Sequence, residues 1–310
     1  MINIAVLYGG KSAEREISKI SGQEVVRNLS KKKYKVFPIE ILKDGISWQY
    51  INNKYTDYYK LLKRLKIDVV FIALHGQHGE DGEIQGLLDS FGVKYTGSKV
   101  LSSSLCMDKI YSKQIFIQNG LTVPVGLHLN KGQALPKKLK YPLFVKPPNQ
   151  GSSLGTAKAT NIQELKRALK NAFFYSDKVL VEEYVVGTEV TCAILGNKKP
   201  ITLPLVEIVP KYEYFDFKSK YNPERAQEIC PARLDAKLST RIQQAAVIAY
   251  KALNCKCMGR VDMIVKNNKI YTLEMQTIPG LTPLSLFPKA AKAAGISYPQ
   301  LLDLIIKFSK

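Results

Sequence analysis

The stretch GRVDMIVKNNKIYTLEMQT, residues 259–277, leaves a folding chain little freedom. Two runs of alternating apolar and polar residues flank an asparagine pair, the pattern of an antiparallel hairpin. Side chains alternate between the faces of a strand. Val261, Met263 and Val265 therefore share one face of the first run, and Arg260 and Asp262 the other. On the second run Tyr271, Leu273 and Met275 oppose Thr272, Glu274 and Gln276. A one-residue slip would exchange the faces of one strand, so the pattern selects the register. A two-residue Asn267-Asn268 turn sets Asp262 against Leu273, mixing polar with apolar. A three-residue loop ending at Lys269, or an equivalent bulge, sets Asp262 against Glu274 and Arg260 against Gln276. Asparagine tolerates the left-handed backbone such a loop needs. The second register is the expected one.

Two opposed carboxylates repel unless something neutralises them. Magnesium takes oxygen ligands and commonly combines a few carboxylates with substrate phosphates. Asp262, Glu274 and the amide oxygen of Gln276 make such a set. A merely solvated polar face is the plainer alternative for a hairpin. The chain break at Pro279-Gly280 directly after the strand, together with lysine-bearing loops elsewhere, favours the metal.

The rest of the 310 residues suffices for two or three compact units. INIAVLY (2–8) and DVVFIALH (68–75) have the length and continuous apolar character of buried strands. Between them, Ile17, Ile20, Val25 and Leu29 recur at roughly helical spacing. Strand, glycine turn, helix and strand make a parallel α/β unit, with ligands expected at the carboxyl ends of its strands. YGGKSAERE and HGQHGEDGEIQG occupy those ends, although the glycine turn lacks the dinucleotide fingerprint. A helix is expected from about 100 to 118. YPLFVKPPNQGSSLGT (141–156) reads as a short strand carrying Lys146, then a flexible loop. Asn161 and Glu164 resemble a capping box opening the next helix. KVLVEEY and TEVTCAIL are strands, residues 210–232 a long functional loop, and 238–253 and 298–308 helices. The divisions expected are 1–98, 99–184 and 185–310.

The net charge of +20, from 46 basic and 26 acidic residues, suits either a nucleic-acid binder or an enzyme of anionic substrates. The lysines are spread along the chain and no nucleic-acid motif accompanies them, which favours the enzyme. No run reaches the ~18 apolar residues of a spanning helix, so no membrane partner is expected. MINIAVLYGG reads as a first strand rather than a signal peptide. Five scattered cysteines, an odd number, point to free thiols in a reducing cytoplasm.

In order along the chain, LYGGKSAEREIS, HGQHGEDGEIQGLL with YTGS, MDK, VKPPNQGSSLG, VEEYVVGTEVT, FDFKSKY with CPA, GRVDM and LEMQTIPGLTPLSLFPKAA resemble the D-alanine–D-alanine ligases of the ATP-grasp superfamily. The resemblance runs nearly end to end. It implies an ATP-grasp fold (α/β and α+β) behind an N-terminal Rossmann-like parallel α/β domain. It also implies ATP-dependent joining of two D-alanines through an acyl phosphate, feeding peptidoglycan synthesis. On that resemblance Lys109 and Lys146 neutralise nucleotide phosphates, and the 182–185 segment presents Glu182, Glu183 and Val185 to adenine. Glu189 meets the ribose, Met263 lines the nucleotide pocket, and Lys220 closes over the γ-phosphate on a lid. Asp262, Glu274 and Gln276 would hold a pair of magnesium ions, with manganese an alternative. Arg260 and the Gly280 N–H would stabilise the tetrahedral oxyanion, an interaction often worth ~3 kcal/mol of barrier. Glu14 would take the first ammonium, His75 would lie near its carboxylate, and Ser285, Leu286 and Lys220 would hold the second substrate. Glu14, Ser152 and Tyr221 would form a hydrogen-bonded trio pinning the lid, with Ser152 also at the phosphates. A homodimer is implied as well.

Three positions depart from the pattern. Gln276 stands where the family usually has Asn, Phe215 where many members carry Tyr, and Leu284 where some have His. Tyr221 favours amide over ester formation. The rival readings are a ligase with a D-serine or D-lactate acceptor, a nucleotide-binding remnant disabled by Gln276, and a nucleic-acid binder.

Overall fold

A computed structural model of the chain describes residues 1–210 and 226–309. Three sheets follow one another, each drawn from a continuous stretch of sequence. The first contains β1 (Ile2–Gly9), β2 (Tyr34–Ile41), β3 (Trp48–Tyr50), β4 (Asn53–Tyr55), β5 (Val69–Ile72) and β6 (Lys94–Tyr95), in the order β4-β3-β2-β1-β5-β6. Its four strands β2, β1, β5 and β6 run parallel, as expected. Helices α1 (Arg15–Asn28), α2 (Tyr58–Arg64) and α3 (Glu83–Ser90) connect them.

The buried face of α1 is the expected one in part: Val25 and Leu29 are buried, but serines and a glycine share that face. Ile20 is 45% exposed, and the residues turned to the sheet include Ser18, Ser21, Gly22 and Val25. A Cβ at Gly22 would lie 2.4 Å from the Cβ of Tyr8, so only a minimal side chain lets helix and strand approach this closely. The serines are satisfied by strand ends: Ser18 Oγ accepts from Gly9 N and donates to Ala73 O, both at 2.8 Å. Counting apolar residues alone missed that part of the face.

The expected helix over 100–118 is two helices, α4 (Val100–Met107) and α5 (Lys109–Gln118). Asp108 breaks them with an extended backbone, and its carboxylate accepts from Ile110 N at 2.8 Å as the cap of α5. Lys109 thus opens a helix, its own N–H bonded to Pro148 O at 3.1 Å.

The second sheet, β7-β10-β8-β9, is antiparallel and comprises β7 (Gly126–Asn130), β8 (Leu143–Lys146), β9 (Ala157–Ala159) and β10 (Lys178–Glu183). Helix α6 (Ile162–Ala172) covers it with Leu165, Ala168, Leu169 and Ala172. Half of the expected capping box is present. Asn161 accepts from Glu164 N at 3.0 Å, but the Glu164 carboxylate turns to Thr160 N at 2.7 Å.

The third sheet holds β11 (Thr188–Leu195), β12 (Ile201–Thr202), β13 (Val206–Pro210), β14 (Ala226–Ile229), β15 (Met258–Lys266) and β16 (Lys269–Gln276). Its order is β14-β13-β11-β15-β16, with β12 also on β11. The span 210–232, expected as loop throughout, therefore contains a strand at its far end; residues 211–225 lie outside the described residues. Helix α7 (Ala236–Ala252) buries Leu238, Ile242, Ala246, Ala249 and Tyr250 against this sheet.

The hairpin β15–β16 has the expected site register, reached by the bulge that was the expected equivalent of a longer loop. Lys266 pairs with Lys269 across Asn267-Asn268, whose φ values of 49° and 60° are left-handed. A bulge then absorbs Leu273, so that Asp262 pairs with Glu274 and Arg260 with Gln276. The bulge has a second effect. Thr272, paired with Met263, enters the core at 0% exposure, and Leu273 turns outward. Tyr271, Leu273 and Met275 do not share one apolar face.

Helices α8 (Leu286–Ala293) and α9 (Tyr298–Phe308) return to the first sheet, where Leu301, Leu302, Ile305 and Ile306 join the core built on Ile4, Leu7 and Phe71. Asp303 of α9 accepts from Tyr34 Oη at 2.8 Å and pairs with Lys33 Nζ at 2.6 Å. The five cysteines are free thiols.

Candidate active site

Two cavities, of about 90 Å³ and about 320 Å³, share a wall formed by Lys109, Gln150, Ser152, Arg260 and Glu274. The smaller one lies past the carboxyl ends of β1 and β5. Glu14 enters it from the start of α1, and His75, Gly76 and Glu80 from the loop after β5. Ser152 donates its hydroxyl hydrogen to a Glu14 carboxylate oxygen. Gly151 permits this contact, because a Cβ there would fall 2.5 Å from Glu14 Oε2. His75 Nε2 lies 2.9 Å from Ser21 Oγ, and burial pushes its pKa below the ordinary value, leaving a neutral imidazole. Glu80 Oε1 accepts from Gly76 N at 3.0 Å. Burial, then the charge of Glu14, push the Glu80 carboxyl up to about 8, so it holds its proton at neutral pH. Glu80 is not among the expected site residues; its only signal in the sequence is an acid inside the GQHGEDG turn.

Gly280, Ser285 and Leu286 line the far side of the small cavity, with Gln276 and the exposed Leu284. Ser285 Oγ accepts from Thr282 N at 3.1 Å and lies 2.8 Å from Thr282 Oγ1, which fixes the turn leading into α8.

The larger cavity lies between the second and third sheets. Lys146, Glu182, Glu183, Val185 and Glu189, the residues that the resemblance assigns to the nucleotide, line it. Glu183 Oε1 accepts from Val125 N at 3.0 Å. Glu182, 3% exposed, is gripped by Lys146 Nζ at 2.5 Å and by Lys113 Nζ. Burial opposes the Glu182 charge, but the two ammonium groups hold its pKa below the usual carboxylate range. Met263 is corrected: it is 0% exposed on the core face, and the apolar lining comes from Ile264 and the bulged Leu273. Strand alternation turns residue 264, not 263, to the cleft.

At the shared wall, Arg260 donates from Nε and Nη2 to Asp262 Oδ1 and Oδ2 at 2.8 and 2.7 Å. Thr191 Oγ1 adds a bond to Oδ1 at 2.6 Å. Burial opposes the charge on Arg260, yet Asp262 overrides it and raises the guanidinium pKa above its ordinary value. Lys109 Nζ is 3.1 Å from Glu274 Oε2 and donates to Gln150 O at 2.9 Å. Each of the opposed acids thus has a cation supplied by the chain itself, so a metal is not what makes their opposition tolerable. Gln276 Nε2 lies 3.5 Å from Glu274 Oε1, at the limit of a hydrogen bond.

Among the described residues no cluster of three or more His, Cys, Asp or Glu side chains could hold a metal. The hairpin offers two carboxylates and one amide, a hard-oxygen set that suits a divalent cation completing its shell with water and phosphate. Of the remaining expected residues, Lys220, Tyr221 and Phe215 lie outside the described residues. Among the described residues no helix is long and apolar enough to cross a membrane.

The sequence matches two family models, D-ala D-ala ligase N-terminus over residues 3–64 and 53–98 and D-ala D-ala ligase C-terminus over 126–307. It is 43% identical over 322 aligned residues to the D-alanine–D-alanine ligase of Syntrophobacter fumaroxidans, covering 99% of this chain and 97% of that protein. The corresponding figures for the Desulforudis audaxviator ligase are 41%, 99% and 98%. The fold matches that of the Bacillus anthracis D-alanine–D-alanine ligase complexed with ATP, with a TM-score of 0.84 at 37% identity, covering 100% of this chain and 97% of that one. It also matches the VanG D-Ala:D-Ser ligase of Enterococcus faecalis, with a TM-score of 0.85 at 34% identity, covering 100% and 99%. The parallel first sheet, the two joined cavities and this end-to-end similarity establish that the chain belongs to the D-alanine–D-alanine ligase family, within the ATP-grasp enzymes.

Proposed function

We propose that the protein joins two D-alanines into D-alanyl-D-alanine, converting ATP to ADP and phosphate, for peptidoglycan synthesis. The observation that carries this reading is the wall common to both cavities. A small polar cavity with the size and charge pattern for amino acids opens onto a larger cleft suited to a nucleotide, and Lys109, Arg260 and Glu274 face both. In the first step a carboxylate oxygen of D-alanine attacks the γ-phosphorus, ADP leaves, and D-alanyl phosphate forms. In the second, the amine of another D-alanine attacks the acyl carbon, sheds its proton, and phosphate departs.

Lys109 and Lys146 are placed to offset phosphate charge, most of what phosphoryl transfer asks of a protein. Arg260, already fixed by Asp262, presents its remaining N–H groups where the tetrahedral oxyanion develops, with the Gly280 N–H beside it. Glu14 takes the first ammonium, and the neutral His75 offers a hydrogen bond without a competing charge. Ser285 and Leu286 border the place of the second substrate. Asp262, Glu274 and Gln276 would hold divalent cations, which when bound would supply positive charge to offset that of the phosphates. The three sheets support a division at 98 and 184. A homodimer in the cytoplasm belongs to the same proposal and rests on kinship alone.

D-serine as the second substrate is the alternative, favoured by the likeness to the D-Ala:D-Ser ligase. Phosphate release from ATP and magnesium, with the product weighed, tests both. D-Ala-D-Ala from D-alanine alone is expected. Release that needs D-serine selects the alternative, and bound ATP without D-alanine-dependent release sinks the ligase reading. Gln276→Asn, one methylene shorter, is expected to reach half-maximal activity at a lower magnesium concentration.

A further inference from the structure

Behind the nucleotide cleft lies the second of the two lysines that hold Glu182. Lys113 is on the inner face of α5, 5% exposed, and lines neither cavity. Its ammonium grips Glu182 Oε2, while Lys146 holds Oε1 from the cleft side. Burial pushes the Lys113 pKa down to about 8, so this charge stays inside only at a cost that something must justify.

Resting on the nucleotide reading above, we propose that Lys113 is a positioning residue: the counter-ion that keeps Glu182 in place when Lys146 turns to the nucleotide phosphates. The two lysines differ in access. Lys146 faces the cleft, where a polyphosphate competes with Glu182 for it. Lys113 is shielded from the cleft by Glu182 itself, so no ligand in the cleft draws it away. A carboxylate buried as deeply as Glu182 cannot be left without a cation. With Lys113 present, Lys146 can leave and Glu182 keeps a partner. Without Lys113, Glu182 and phosphate contend for a single ammonium, and nucleotide binding weakens although no nucleotide contact has been removed.

The test is ADP binding by calorimetry in a double-mutant cycle. Lys113→Met is expected to weaken ADP roughly 10- to 100-fold. In a Glu182→Gln background, where no buried acid competes for Lys146, the same substitution is expected to change ADP affinity by about threefold or less. Lys113→Arg, which keeps the charge, is expected to bind ADP nearly as the unmodified protein does. Equal losses in both backgrounds, or no loss in either, overturn the proposal. Should Lys113→Met not fold, the double variant, which buries no unpaired acid, decides. ADP affinity at the Glu182→Gln level supports the counter-ion role, and a further tenfold loss refutes it. If Lys146→Met and Glu182→Gln leave ADP binding intact, the nucleotide placement falls and this inference with it. If they weaken it and Lys113→Met does not, only this inference falls.

Discussion

The first and third sheets deliver side chains to one site by opposite means. In the parallel sheet, Ile4, Ala5, Val6 and Leu7 of β1 and Val70, Phe71 and Ile72 of β5 are all 0% exposed, because helices cover both faces. No chemistry fits inside such strands, so Glu14, His75 and Glu80 lie past their carboxyl ends and are held by hydrogen bonds of the loops. In the antiparallel hairpin one face packs on α7 and the other borders the cavities. Arg260, Asp262 and Glu274 therefore sit within the strands, fixed by the ladder itself. Groups placed by loops can be changed with modest damage to the fold. Groups placed by a ladder tie activity and stability together.

Arg260→Met puts this contrast to its hardest test. If Arg260 is the oxyanion donor proposed above, loss of its guanidinium should lower kcat/KM by roughly 1,000-fold. It should cost stability at the same time, since breaking a buried pair removes about 3–5 kcal/mol. Thermal melts beside the kinetics read both, and an inactive variant that melts unchanged would break the coupling. A subtler division runs between the two faces of the hairpin. Met263→Ala should cost about 2–5 kcal/mol of unfolding free energy with nucleotide affinity intact. Leu273→Ala should do the reverse, weakening ATP by about 1 kcal/mol with little change in denaturant midpoint.

For the first sheet, Gly22→Ala should cost about 1–3 kcal/mol by forcing α1 away from Tyr8. Ile20→Ala, on the exposed side, should stay within about 0.5 kcal/mol. Comparable losses in urea unfolding would return Ile20 to the core. A pH dependence is expected as well. The Glu80 carboxyl has its pKa raised from 4.5 to about 8, so between those values the folded chain holds a proton that the unfolded chain has lost. Stability from this group is complete below about pH 4.5 and declines as pH rises through 8. Glu80→Gln should flatten that decline by on the order of 1 kcal/mol, seen as a smaller Tm difference between pH 6 and pH 9.

The alternation in 259–277 was enough to set Asp262 against Glu274, because burying one face leaves a single acceptable register. It was not enough to tell a longer turn from a bulge, since both add one residue to the same strand. Met263 stood in the expected nucleotide lining on the resemblance alone, although the alternation itself puts it on the apolar face with Val261 and Val265. Glu14 and His75 were legible as polar residues just past apolar runs. The inner face of α1 was so only in part, because a helix that approaches a strand closely uses serine and glycine, which no apolar count detects. Asp108 carried a break without Gly or Pro, and nothing local marks Lys113, whose partner Glu182 lies 69 residues away.

Helix α9 completes the core that β1 begins, and Asp303 fastens it to Lys33 and Tyr34. During synthesis the earliest strands must therefore wait, one flank bare, until residues 298–308 have left the ribosome. Nascent-chain quality control would meet that bare flank for most of translation, and a fusion or truncation near residue 300 would unsettle the opposite end of the polypeptide.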